Sequence, residues 1–232
     1  MQSTRYHAAP TGPEAVVEAN LIESLWTFCD SFLQSIYSLL FSTSMTFERT
    51  GTTVYYKSNA SSTIGEGAFS TVLQAARAFE SDHPYALKRM LIQSNGTAAV
   101  VETEIEAYGR FQHKNILQLI DHSFFTDGHG LRVAWLLFPR AKRGSLRDLL
   151  GAVVDGRAPR PPLREVLAKF VCVCEALNVL HSFEPSYVHQ DVKPDNILIG
   201  DDGMPLLMDL GSVRTATRHV RTRKDELRIS EE

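Results

Sequence analysis

The residue types best suited to chemistry crowd into one short stretch, Tyr187-Val188-His189-Gln190-Asp191-Val192-Lys193-Pro194-Asp195-Asn196, followed later by Asp209-Leu210-Gly211. Lys193 stands two residues after Asp191, Asn196 five after it and Asp209 eighteen after it. Phosphoryl transfer needs a carboxylate to orient and deprotonate a hydroxyl, a cation against the transferred phosphate, and oxygen ligands for magnesium. The polarity of a surface turn would explain Asp201-Asp202-Gly203, but not the whole set.

Two upstream features fit the same chemistry. In Gly65-Glu66-Gly67-Ala68-Phe69-Ser70-Thr71-Val72, two glycines fall in a turn between strand patterns. Glycine lets backbone N–H groups approach a polyphosphate, although a plain hairpin turn has the same composition. The turn opens no helix, which excludes a dinucleotide fingerprint and a Walker-type loop. Twenty-one residues after Gly67, Lys88 lies among Ala86, Leu87 and Met90. A lysine with buried neighbours needs an anion, and Glu102, Glu104 and a ligand phosphate are the candidates.

These residues must be held by elements that the pattern of apolar residues outlines. Val54-Tyr55-Tyr56, Ser70 to Ala76 and Pro84 to Met90 read as strands, and 98–111 as a helix. Residues 116–125 and 131–138 read as two further strands. After the basic, Pro-rich linker from Arg157 to Pro162, a long helix covers 163–182. Leu163, Val166, Leu167, Phe170, Cys174, Leu177 and Leu180 form its apolar stripe, and Pro161 and Pro162 suit its start. Residues 21–41 carry Leu21, Leu25, Phe28, Phe32, Leu33, Ile36 and Leu40 at helical steps, with Glu23, Asp30 and Gln34 opposite. Each acid near a bilayer centre would cost about 2.5–3.5 kcal/mol, so this is an amphipathic helix and not a span. Its polar face lacks Lys and Arg, so packing on the protein or a partner helix competes with a membrane surface.

The 232 residues carry 24 Lys+Arg against 27 Asp+Glu and are 44% hydrophobic, which excludes a disordered or collagen-like chain. A net charge of -3 gives no polybasic field for nucleic acid, so binding must come from a local site. Cys29, Cys172 and Cys174 do not make a disulfide framework, and one Arg with two Glu in the first twenty residues makes no secretory signal. An intracellular protein is expected.

The motif order from the glycine-rich turn to Asp209-Leu210-Gly211 resembles that of the eukaryotic protein kinases. Within them the segments GEGAFSTV, YALKRM, AWLLFPRAKRGSL and GMPLLMDLGS look most like the Numb-associated serine/threonine kinases, in particular a small lipid-anchored, Golgi-associated type. The resemblance runs from about Val54 to Val213. It implies an α+β fold: a small strand-rich lobe over 51–138, a hinge at 139–144, and a partial helical lobe over 145–232, with 1–50 as an appendage. It also implies ATP and Mg²⁺ as cofactors and a protein substrate with a Ser or Thr acceptor. Gly65, Gly67 and Ser70 would cover the phosphates, and Lys88 would hold them while pairing with Glu104. In this register Tyr108 takes an inner-spine position. Val72, Ala86 and Leu198 would sandwich the adenine, and backbone groups from Pro139 to Ala141 would meet its edge. Asp191 would be the base, Lys193 would neutralise the γ-phosphate, and Asn196 and Asp209 would bind magnesium. A cytoplasmic location, peripheral to Golgi or other endomembranes, also follows from the resemblance.

Three departures qualify these expectations. Ser70 replaces the third glycine. Gln190 stands where most relatives have an arginine that meets a phosphorylated activation segment, so such phosphorylation should matter little through this contact. Only 21 residues follow Gly211 and contain no Ala-Pro-Glu. An incomplete catalytic unit with an exposed stripe on 163–182 and impaired transfer is therefore expected, unless helix 21–41 covers that surface. The competing readings are a nucleotide-binding pseudokinase or scaffold, and an adaptor acting through 21–41.

Overall fold

The computed structural model of the protein describes residues 43–217 except 68, 79, 81–83 and 127–129. The amphipathic segment 21–41 lies outside them. Among the described residues no helix is long and apolar enough to cross a membrane.

Seven strands form one antiparallel sheet: β1 (Thr43–Thr46), β2 (Thr53–Tyr56), β3 (Thr63–Glu66), β4 (Ser70–Ala76), β5 (Tyr85–Ile92), β6 (Asp121–Thr126) and β7 (Arg132–Pro139). Their order is β1-β2-β4-β5-β7-β6, with β3 paired to β4. β7 is apolar without interruption from Val133 to Phe138 because both of its faces are covered. Val133, Trp135 and Leu137 join Met45, Phe47, Val54, Leu73 and Leu87 on one side. Ala134, Leu136 and Phe138 face the other way, into the core shared with the helices. The period of two thus divides one strand between two cores.

Helix α1 (Asn95–Arg110) begins three residues before the expected 98, because Ser94 caps it. Ser94 Oγ accepts the Thr97 N–H at 3.2 Å, and Thr97 Oγ1 accepts the Ser94 N–H at 2.9 Å. Its buried face is Val101, Glu104, Ala107 and Tyr108, so an acid stands in the apolar stripe.

The second lobe contains α2 (Leu146–Val154), α3 (Leu163–His181), the two-residue strands β8 (Tyr187–Val188) and β11 (Arg214–Thr215), and the hairpin β9 (Ile197–Ile199) with β10 (Pro205–Leu207). The expected stripe of α3 divides. Leu180 is buried beside Cys172 and Ala176, whereas Leu163, Val166, Leu167 and Phe170 are exposed, as is Cys174. Among the described residues, only one side of this helix is covered.

Two expectations from the sequence need correction. The strand at 116–125 is shorter and later, beginning at Asp121. Residues 115–117 instead tie the lobes together: Leu117 donates its N–H to the Leu207 carbonyl at 2.9 Å, and Leu207 donates to the Asn115 carbonyl at 2.8 Å. The sheet also begins at Thr43, inside the stretch assigned to an appendage ending at 50. β1 pairs with β2, and Met45 and Phe47 are buried, each contributing about 1.5–3 kcal/mol. The turn after β1 reaches the opposite edge of the sheet. Buried Asp121 accepts the Thr50 N–H at 2.8 Å, Arg49 Nε at 3.2 Å and the His122 N–H at 2.8 Å.

Candidate active site

Between the lobes lies a cleft of about 780 Å³. Its roof is the β3–β4 hairpin, closed by Gly67 N–H to the Ser70 carbonyl at 2.8 Å and the reverse bond at 3.4 Å. A Cβ on Gly67 would meet Ser70 Oγ at 2.9 Å, so the turn is tight where Gly67 and Ser70 line the cleft. The glycine turn read from the sequence is thus a closed hairpin that lines the cleft.

Lys88 projects from β5 toward α1. Its Nζ lies 2.7 Å from Glu104 Oε1 and 2.9 Å from Oε2, and 3.3 Å from Asp209 Oδ1. Glu104 is 1% exposed, whereas Glu102 is exposed, so the structure decides between the two. Burial acts against the Lys88 ammonium, but Glu104 and Asp209 outweigh it and hold the pKa above its ordinary value. Burial likewise pushes Glu104 up, with Lys88 opposing. The pair is charged and enclosed, and depends on both partners.

The floor comes from the segment between β8 and β9. Lys193 Nζ donates to Asp191 Oδ2 at 2.7 Å, and Asn196 Nδ2 donates to the same oxygen at 2.8 Å and to the Asp191 carbonyl at 2.9 Å. The Lys193 bond, with help from Asn196 and against burial, holds the Asp191 carboxyl below its usual range. Asn196 commits its nitrogen to Asp191, which leaves its carbonyl oxygen as an acceptor. His189 locks this segment to the strand before Asp209. Its Nδ1 accepts the Asp191 N–H at 3.3 Å, so Nε2 carries the proton and donates to the Met208 carbonyl at 3.0 Å. Burial holds the imidazole below its ordinary pKa and keeps it neutral.

Gly65, Gly67, Ser70, Val72, Ala86, Lys88, Glu104, Pro139, Ala141, Lys193, Asn196, Leu198 and Asp209 all line this one cleft. Asp191 joins them through Lys193 and Asn196. The Arg140 N–H is tied to the Pro84 carbonyl at 2.8 Å, which fixes the hinge path. Sequence reasoning left out Ile64, Leu117, Phe138 and Met208, which also line the cleft. Ile64 and Met208 directly precede the glycine turn and Asp209, and that adjacency was the available signal. It also left out the exposed ion pair of Arg147 Nη2 with Asp195 Oδ2, 3.1 Å apart at the cleft mouth, which joins residues 48 apart and leaves no local trace.

Comparison with known proteins converges on this geometry. The protein kinase domain family model matches residues 58–229. Serine/threonine-protein kinase 16 of Homo sapiens is 34% identical over 168 residues, which cover 72% of this chain and 53% of that protein. Its Rattus norvegicus counterpart gives the same figures. A probable serine/threonine-protein kinase of Dictyostelium discoideum is 36% identical over 141 residues, 59% of this chain and 38% of that protein. The chain thus spans about half the length of the first two relatives.

Proposed function

The chain belongs to the protein kinase family, and from that premise we propose that it serves transfer of the γ-phosphate of ATP to a Ser or Thr hydroxyl of a protein. The observation that carries the reading is the convergence of two bonded clusters, Lys88–Glu104–Asp209 and Asp191–Lys193–Asn196, on one cleft roofed by a glycine hairpin.

In this reading Asp191 is ionised at neutral pH and accepts the proton of the acceptor hydroxyl. Lys193, bound to the same carboxylate, lies within reach of the transferred group. Lys88 meets the phosphates nearer the adenine while Glu104 fixes its direction. Val72, Ala86 and Leu198 give the cleft apolar walls for a flat base.

A divalent cation fits the donor set only together with the nucleotide. Among the described residues no group of three His, Cys, Asp or Glu could hold a metal by itself. Asp209 and the Asn196 carbonyl offer two hard oxygens, and magnesium is ordinarily held by one or two such ligands with phosphate oxygens and water. When bound, magnesium neutralises charge across the β- and γ-phosphates.

Thermal unfolding with and without Mg-ATP tests the reading. At a hundredfold excess over Kd the ligand should add about 2.7 kcal/mol, and Lys88→Ala or Asp209→Ala should remove most of the rise. An equal rise in both variants would refute the assigned nucleotide site.

A further inference from the structure

We propose that Tyr108 is a positioning residue for Asp209, holding the backbone of that aspartate through its phenolic oxygen; the inference deepens the reading above and rests on it. Tyr108 lies on α1, one turn beyond Glu104, and is 5% exposed. Its Oη accepts the Asp209 N–H at 2.9 Å, a contact between residues 101 apart in the chain. The ring meets Phe138 of β7 edge to face, with centroids 5.1 Å apart, and this contact helps to aim the hydroxyl. Burial, reinforced by the Glu104 carboxylate, pushes the phenol well above its ordinary pKa, and the group stays neutral.

The bond is placed where backbone geometry needs support. Asp209 has φ 61° and ψ 65°, a left-handed conformation that costs a non-glycine residue about 1–2 kcal/mol. That conformation aims its carboxylate at Lys88 while the next residue, Leu210, is fully buried. Helix α1 therefore grips the cleft twice from one face. Glu104 sets Lys88 and Tyr108 sets Asp209, so a shift of the helix would loosen the phosphate-facing cation and the metal-facing carboxylate together. An apolar side chain at 108 could fill the same space but would leave the Asp209 N–H without this acceptor. The backbone of Asp209 is thereby held from the small lobe by a neutral bond.

The test is Tyr108→Phe in the full chain, with Tyr108→Leu as a second variant lacking the hydroxyl. ADP affinity is measured by calorimetry with EDTA and with magnesium, and exchange of the Asp209 amide is followed by NMR. The ring is retained in Tyr108→Phe, so metal-free ADP affinity should stay close to wild type, and the melting temperature should fall only by the loss of one enclosed hydrogen bond. The gain in affinity on adding magnesium should shrink about three- to tenfold in both variants, the effect of losing one enclosed hydrogen bond. The Asp209 amide should exchange faster while the Lys88 amide in β5 is unchanged. An unchanged magnesium gain in Tyr108→Phe overturns the proposal, and so does an equal loss of metal-free ADP affinity, which would mark a merely structural role. If the wild-type chain shows no magnesium gain, the nucleotide reading fails; unaltered protection of the Asp209 amide in Tyr108→Phe then overturns the positioning role independently.

Discussion

Asn196 holds Asp191 by two points, donating through one nitrogen to its side-chain Oδ2 and its carbonyl oxygen at 2.8 and 2.9 Å. A carboxylate pinned at both its backbone and its tip cannot swing without breaking both bonds. The direction of the proposed base is therefore set five residues downstream of it.

Asn196→Ala should lower kcat for phosphotransfer about a hundredfold, the usual cost of roughly 1 Å of misplacement. It should also weaken Mg-ATP, because the carbonyl oxygen is lost with the amide. Asp191→Asn should abolish transfer and leave Mg-ATP binding intact. Steady-state kinetics with a generic Ser/Thr peptide, beside nucleotide titration, separates the two patterns. Loss of Mg-ATP binding in Asp191→Asn would show that the residue is structural.

Removing Lys88 strands a buried acid. Lys88→Met should cost about 3–5 kcal/mol at neutral pH, because Glu104 would be left buried without its partner. In that variant burial, reinforced by the Asp209 carboxylate, raises the folded pKa of Glu104 above its unfolded value. Its contribution is then most favourable below the unfolded pKa, about 4.3, and lost as pH rises through the folded one. The penalty should therefore ease as the buffer is acidified. Urea unfolding at several pH values measures this, and adding Glu104→Leu should recover much of the loss at pH 7.

His189 makes the wild-type fold sensitive in the opposite direction. Burial depresses its folded pKa, so its stabilising contribution is complete above the unfolded value of about 6.5 and is lost as pH falls through the folded one. Melting temperature should fall from about pH 7 to about pH 5 in wild type. His189→Gln should start lower and change less across the same range.

The exposed half of α3 should govern solubility. Phe170 is 63% exposed, so Phe170→Ser should shift stability by no more than about 0.5 kcal/mol while lowering dye binding and raising soluble yield. A large stability loss would mean that another part of the protein covers this face.

Asp121 and Arg49 should differ sharply. Asp121 is fully buried and its hydrogen bonds from Thr50, His122 and Arg49, against burial, hold its carboxyl below the usual range. Asp121→Ala should cost about 1–3 kcal/mol in all, because the part-buried Thr50 and His122 N–H groups lose their acceptor. Arg49, whose side chain is 63% exposed, should cost about 0–1 kcal/mol when cut to alanine. Chemical denaturation of both variants gives the comparison.

Much of the site was legible because its signals are local. Asp191, Lys193 and Asn196 fall within six residues, Gly65 and Gly67 share a turn, and Lys88 is conspicuous as an ammonium in an apolar strand. Periodicity reports that a residue is buried, but not against what. Ile116 and Leu117 therefore read as part of a strand leading into Asp121, although they pair across the lobes with β10. The four polar-rich residues of β1 carried too little pattern to mark the start of the sheet. Tyr108 read as a packing residue, since nothing in a sequence announces that its hydroxyl meets an amide 101 residues away.

The junction of the β1–β2 turn with Asp121 also sets an order of events. It joins residues 71 apart, so the chain gains these bonds only after the closure entropy of a long loop has been overcome. The intervening strands β4, β5 and β7 must already stand in register before Thr50 and Asp121 can meet. Loop closure then predicts that the amino-terminal hairpin locks last in the small lobe and opens first, which amide exchange at Thr50 checks. On that expectation the β5–α1 pair of Lys88 and Glu104 keeps its protection while the rim of the sheet exchanges, so cleft and rim would behave as separate cooperative units.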